Sequence, residues 1–362
     1  MTTETPRTTP STPEDLLEMP ENHLDVVVTP DSLDSSRRAS LRTRLIAVIS
    51  MPLFFLVAFS LCYVSATHAP SPHDMGLTIA GPAAVTEQLT DAVNDKAAGA
   101  FDITQTTDAA AARESVANRD SVGAVIIDGA TVTVVVASAG SRLAAQVVES
   151  VATPIATQLG ATVTVDDVAP LPADDPSGTV LFFYLIICTI GAFLSITVIS
   201  QAIRKGSLRS KLFTAVGAGI VVPVLGFAMI SLFVDFGVTF GTAAGVIGVG
   251  MIYTFTVALL ATLFTLLLGQ AAVLAEILFL VALNFPSAGG SVPMSMLPPF
   301  WQVVHNTWVG AGGLEAMRSI LYFDGAQAGR WILQLLIWLV VVIVLIAVVS
   351  VVKKRRAAAQ SR

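Results

Sequence analysis

The chain has 362 residues, 54% of them hydrophobic and only 13% charged, against roughly 25% charged in an ordinary soluble domain. Its net charge of -6 is segregated, with acids in the N-terminal tail and from Asp74 to Asp175 and bases beside long apolar runs. This excludes a strongly basic nucleic-acid face, and the two cysteines, Cys62 and Cys188, both lie within apolar runs, so no disulfide staples a water-exposed part.

Residues 1–40 are rich in Thr, Pro, Ser, Asp and Glu and read as a disordered cytosolic tail. No signal peptide is expected there, because the apolar run begins late and lacks a small-residue cleavage site. From Leu45 to Val64 the chain is almost purely apolar, long enough to cross a hydrocarbon core of about 30 Å, so 41–66 is the first transmembrane helix. Arg37, Arg38, Arg42 and Arg44 precede it and place the N-terminus inside.

Residues 67–176 change character. Met75–Ala80 and Phe101–Thr106 read as strands, with Val85, Leu89 and Val93 marking one helix face between them. Ala109–Asn118 suits a helix. Ala124–Ile127 and Thr131–Val136 are strands joined around Asp128-Gly129, a strong hairpin signal. Ser141–Leu159 is a helix bent at Pro154, and Thr162–Val165 is a last strand. The order β-α-β-α-β-β-α-β predicts an extracytoplasmic α/β domain with a mixed sheet, standing on its own core. Pro170, Pro172 and Pro176 form a stiff link back to the membrane. His68, His73 and Asp74 read as a solvated linker rather than a metal site.

Further apolar runs at 178–201, 213–234, 242–268, 270–286 and 331–352 make 177–352 a five-helix transmembrane domain. Gly269-Gln270 supplies the tight turn between the third and fourth of these, and the split there rests on length alone. Arg204, Lys205, Arg209 and Lys211, and the basic tail 353–362 with Lys353, Lys354, Arg355 and Arg356, put alternate ends in the cytosol. The expected class is therefore an α-helical polytopic membrane protein of roughly six transmembrane helices, with the α/β domain between the first two.

Gly241, Gly245 and Gly248 form a small-residue stripe on one helix face, a helix-packing signal. Glu276 is the one ionisable residue well inside a span, roughly 9 Å deep by helical rise. It serves a substrate path or proton relay, or else a structural hydrogen bond near the interface; the sequence leaves both open. The segment 286–329 is too apolar for a free loop and too broken for a span. It is expected to dip into the outer interface as two short helices, with Trp301, Trp308, Tyr322 and Trp331 as an aromatic belt. Glu315 and Arg318, three apart, pair locally there. Phosphate-binding loops, nucleophile elbows and zinc motifs are missing from the sequence, so no catalytic, cofactor-binding or metal residue is assigned and the chain is not read as an enzyme.

Pro286-Ser-Ala-Gly-Gly-Ser-Val-Pro293, followed by Leu297-Pro298 and Phe300, resembles the signature of the phage infection protein (YhgE/Pip) family and its ABC type-2 permease relatives. Pro286, Gly289, Gly290 and Pro293 carry the resemblance, and Arg318 corresponds to an arginine that comes after the motif in those families. The plan of one span, an outer domain and five further spans is similar over 45–352. The resemblance implies an exporter-like subunit in the bacterial plasma membrane. It also implies a lipid-like or amphiphilic substrate, a separate ABC ATPase as partner and a homodimer, with Arg204, Lys205, Arg209 and Lys211 in the coupling loop and Arg318 at a gate. The chain lacks the amphipathic helix that type-2 permeases carry before the first span. The other function the resemblance implies is a non-transporting envelope scaffold, phage receptor or accessory protein of type VII secretion.

Overall fold

The computed structural model describes residues 30–202 and 208–360. Helix α1, Pro30–Thr67, begins inside the stretch expected to be disordered. Proline suits a first helical turn, where its missing N–H is not needed, and the polar residues after it continue into the apolar span without a break. The expected disorder of residues 1–29 lies outside the described residues.

Pro52–Arg362 is one compact unit. Its α/β region keeps the expected order: β1 (Met75–Ala80), α2 (Ala83–Lys96), β2 (Phe101–Thr106), α3 (Ala109–Ala117), β3 (Gly123–Asp128), β4 (Thr131–Val136), α4 (Arg142–Leu159) and β5 (Thr162–Asp167). The Asp108 carboxylate accepts from the Ala110 and Ala111 amides to start α3, and Ser141 caps α4, each satisfying donors that a helix start leaves free. Gly160, at φ 60°, ends α4 in the left-handed conformation that glycine adopts without a Cβ clash.

The five strands run in the order β2-β1-β3-β4-β5. β1 pairs parallel with β2 and β3, β4 pairs parallel with β5, and only the hairpin, with Asp128 opposite Thr131, is antiparallel. Leu77, Ile79, Val125, Val132 and Val134 face α4 and Leu89 of α2, while Ala80, Ala124, Ile126 and Val135 face Ala112 and Val116 of α3. Covering both faces explains why β3 and β4 are nearly continuous apolar runs. The core is not self-contained, contrary to the expectation from the sequence. Val292, Met296, Leu297 and Trp301 complete one face and Phe323 the other.

Among the described residues five helices are long and apolar enough to cross a membrane, so the chain is a polytopic membrane protein. They are the Ile49–Thr67 part of α1, α5 (Val180–Ala202), α6 (Leu208–Ile230), α7 (Phe240–Leu268) and α12 (Ala328–Gln360). The Asp175 carboxylate accepts from the Thr179 and Val180 amides and so ends the proline-rich link at the start of α5. The expected split falls at Gly269, whose φ of 60° makes the turn. Beyond this turn the helix is broken into α8 (Ala272–Ala275), a π-helical stretch Glu276–Ala282, and α9 (Asn284–Ser287). Together Ala272–Ser287 spans about 24 Å, short of a full crossing.

The expected glycine stripe is not the packing seam. A Cβ on Gly248 would meet open space, one on Gly241 would touch only its neighbour Thr239, and Gly245 alone meets another helix, at Ile320. The close approaches are Gly191 against Val222, Gly219 against Phe255, and Gly250 against Tyr184 and Pro223. Spacing marks a smooth helix face but carries no information on which face a neighbour occupies.

Candidate functional site

Residues 286–329 form a hairpin whose second helix packs against α7 and α12. α10 (Pro299–Thr307) and α11 (Val309–Tyr322) meet at Trp308. There the Trp308 carbonyl accepts from the Gln334 side chain at 2.8 Å, and the Thr307 carbonyl from Trp338 Nε1 at 2.7 Å. The tip therefore lies about 9–15 Å along α12 from its start. α11 is buried from Val309 through Ser319, with Gly313 against Tyr253 and Gly312 against Leu335. Protein therefore surrounds the second half of the hairpin on all sides. Of the four residues of the expected aromatic belt, Trp301 and Trp331 are buried packing residues and Trp308 and Tyr322 are half-buried, while Phe300 and Val303 of α10 are exposed.

The Pro286–Pro293 motif has a positional reason for its glycines. Gly289 sits at φ 80°, and its carbonyl accepts from Arg318 Nη2 at 3.1 Å. A Cβ on Gly290 would overlap the Phe182 ring, so only glycine lets the chain cross the start of α5. Pro286 is buried in α9, and Pro293 precedes the tight turn Met294–Met296. His305 Nδ1 lies 2.8 Å from the Ser287 carbonyl; because the partner only accepts, that nitrogen carries the proton. Burial pushes the imidazole below its ordinary value, with Glu315 opposing, so the ring is neutral at neutral pH.

Glu315 is the centre of the site. Arg318, one turn on, pairs with its Oε1 as expected, but inside the protein rather than near lipid. The second oxygen takes Arg119 Nη2 of the α/β region at 2.5 Å. Arg119 also donates through Nη1 to Ser319 Oγ at 2.6 Å, and its guanidinium lies 4.9 Å from the Phe323 ring centre, within cation–π range. Burial alone would raise the Glu315 carboxyl; Arg318 and Arg119 outweigh it and hold the group at about 2. A second grip lies beside the first. Gln327 Nε2 donates to the Asn118 and Arg119 carbonyls and to Asp120. Arg119 and Gln327 have φ of 64° and 58°, unfavourable for residues with a Cβ and held only where the surroundings impose them. His73 N also donates to the Ser295 carbonyl at 2.8 Å. Between the α/β region and the hairpin these contacts enclose a cavity of about 340 Å³.

Glu276 lies elsewhere, near the far end of α7. It is 1% exposed and accepts from Thr197 Oγ1 at 2.7 Å, with Lys211 close enough to act on it electrostatically. π-helical turns such as the one it opens are frequent at functional sites. Arg204 and Lys205 lie outside the described residues; Arg209 and Lys211 sit in the first turn of α6. A buried hydrogen-bonded group that the sequence did not reveal joins α9, α7 and α5. Asn284 Nδ2 donates to Tyr253 Oη at 2.9 Å, and Tyr253 Oη lies 2.6 Å from Thr189 Oγ1.

Arg119 was missed for a physical reason. It is one arginine in a loop between α3 and β3, with no periodicity to mark it, and its role exists only once the chain has folded back on α11. No protein-family model, curated protein or solved structure matches the chain.

Proposed function

We propose that this chain is the membrane subunit of an exporter, resembling ABC type-2 permeases, that moves a lipid-like or amphiphilic substrate with a separate ATPase. In this reading it lies in the bacterial plasma membrane with both termini in the cytosol and the α/β region outside, and Ala272–Ser287 completes a sixth, broken crossing. The observation that carries the reading is the buried joint of Arg119, Glu315 and Arg318. It fastens a water-facing domain to a re-entrant hairpin inside the bundle. A receptor that only displays a domain has no need of buried charges on such a hairpin, whereas charges in a bundle interior belong with substrate paths and moving elements. Movement of the α/β region would then be felt at Trp308, deep in the bundle.

Two experiments test this. Reporters fused after Arg209 and after Arg356 should report cytosol, and one inserted at Gly160 should report the outside; an external signal at Arg356 would overturn the topology. The full chain purified in mild detergent should carry a nucleotide-hydrolysing subunit in fixed ratio, lost on Arg209→Ala with Lys211→Ala. A chain that exports nothing and binds no such subunit is the envelope scaffold instead.

A further inference from the structure

We infer that the cavity between the α/β region and the hairpin binds a zwitterionic headgroup, a phosphodiester anion that carries a primary ammonium, as in phosphatidylethanolamine. This deepens the exporter reading by naming a substrate class, and rests on it for the destination of the ligand. The volume of about 340 Å³ falls within the range of roughly 300–1,000 Å³ usual for small-ligand pockets.

The walls carry opposite charge. Arg318 and Arg330 come from the hairpin and the start of α12, and Asp74, Asp102 and Asp120 from the α/β region. Glu315 is already shared by two guanidiniums, so the hairpin side keeps an excess of positive charge. Arg330 donates to the neutral amide of Asn306 at 2.8 Å and lies over Trp331 at 4.7 Å. Asp120 accepts from the neutral amide of Gln327. Among the described residues none of Asp74, Asp102, Asp120 or Arg330 forms an ion pair. Charges held apart across a cavity, rather than paired over it, suit a ligand that brings both counter-charges. A planar guanidinium takes a phosphate through two parallel hydrogen bonds, and an ammonium offers three donors to carboxylates.

An exposed apolar stripe adjoins the cavity. Met294 lines it, and the Asn306 amide of α10 donates to the Met294 sulfur at 3.3 Å. From Asn306 the exposed face of α10 continues through Val303 and Phe300, 63% and 64% exposed. An acyl chain leaving the cavity would lie on that apolar stripe. The same headgroup free in water has no use for it.

The test is binding to the full chain in nanodiscs. Dioleoyl phosphatidylethanolamine is compared with dioleoyl phosphatidylglycerol and with soluble glycerophosphoethanolamine, read by native mass spectrometry and by the fluorescence of Trp331 under Arg330. Phosphatidylethanolamine should bind about tenfold tighter than phosphatidylglycerol. Arg330→Gln should weaken phosphatidylethanolamine binding by about tenfold, the scale of one charge-assisted contact, and Asp102→Asn should erase the preference over phosphatidylglycerol. Both positions are exposed, so the thermal midpoint should hold. Glycerophosphoethanolamine binding as tightly as the lipid would support the headgroup chemistry and assign it a water-borne source. Equal binding of the two lipids, or two variants that bind like the parent, would overturn the inference. Because binding is read without transport, a chain that binds the headgroup but exports nothing overturns only the exporter reading. One that exports another class and leaves this cavity empty overturns only the inference.

Discussion

Among the described residues Glu276 and Glu315 are the two buried glutamates, and they are kept in opposite ways. Glu315 takes two guanidiniums from two distant parts of the chain, whereas Glu276 takes one hydroxyl hydrogen bond and sits on a π-helical turn. Burying a charge costs several kcal/mol unless partners offset it. Glu315 has its partners on both oxygens and is a joint. Glu276 has a single hydrogen-bonding side-chain partner in Thr197.

The contrast can be broken most severely at Glu315. Glu315→Gln leaves the buried Arg318 and the half-buried Arg119 short of their counter-charge and should cost about 3–5 kcal/mol, seen as a large fall in the thermal midpoint of the full chain. A fall no greater than that of a surface variant would mean that no joint exists there. Gly290→Ala should come next, at about 1–3 kcal/mol for forcing a methyl into the Phe182 ring. Gly248→Ala, facing open space, should stay within about 0.5 kcal/mol; equal effects would restore the glycine stripe as the seam. Glu276→Gln keeps an oxygen for Thr197 and should cost under about 1 kcal/mol while export falls. Unchanged export would leave Glu276 a structural hydrogen bond.

The smallest effect is expected from pH. The folded Glu315 value of about 2 lies below an unfolded value of about 4.3. Its contribution is therefore fully present above the unfolded value and is lost only as pH falls toward the folded one. The thermal midpoint of Glu315→Gln should run parallel to that of the parent between about pH 5 and pH 7.5, and the two should converge only in stronger acid.

The α/β region was legible because its signals are local. Alternation marked β2, the Asp128-Gly129 turn marked the hairpin between β3 and β4, and Val85, Leu89 and Val93 marked the face of α2. Five of the six expected spans were legible from length, whereas the run 270–286 forms a shorter, broken helix. The Glu315–Arg318 pair was legible from its spacing of one turn, but its surroundings were not: the tryptophans of 286–329 suggested an interface, and burial of α11 depends on glycines 310, 312 and 313 meeting side chains of other helices. The start of α1 at Pro30 was hidden because polar composition argues against helix, while propagation from an existing helix is cheap compared with nucleation. Arg119 had no local signal at all, and neither did the sharing of one core between the α/β region and Trp301.

The central claim is that Arg119 and Glu315 join the α/β region to the membrane hairpin, and a double-mutant cycle tests it directly. Thermal or denaturant stability of the full chain would be measured for Arg119→Ala, Glu315→Ala and the pair. A real joint predicts a coupling of at least about 1.5 kcal/mol, with the double variant less damaged than the sum of the two. Additivity within about 0.5 kcal/mol would mean that the two side chains act independently and that the α/β region is not fastened there.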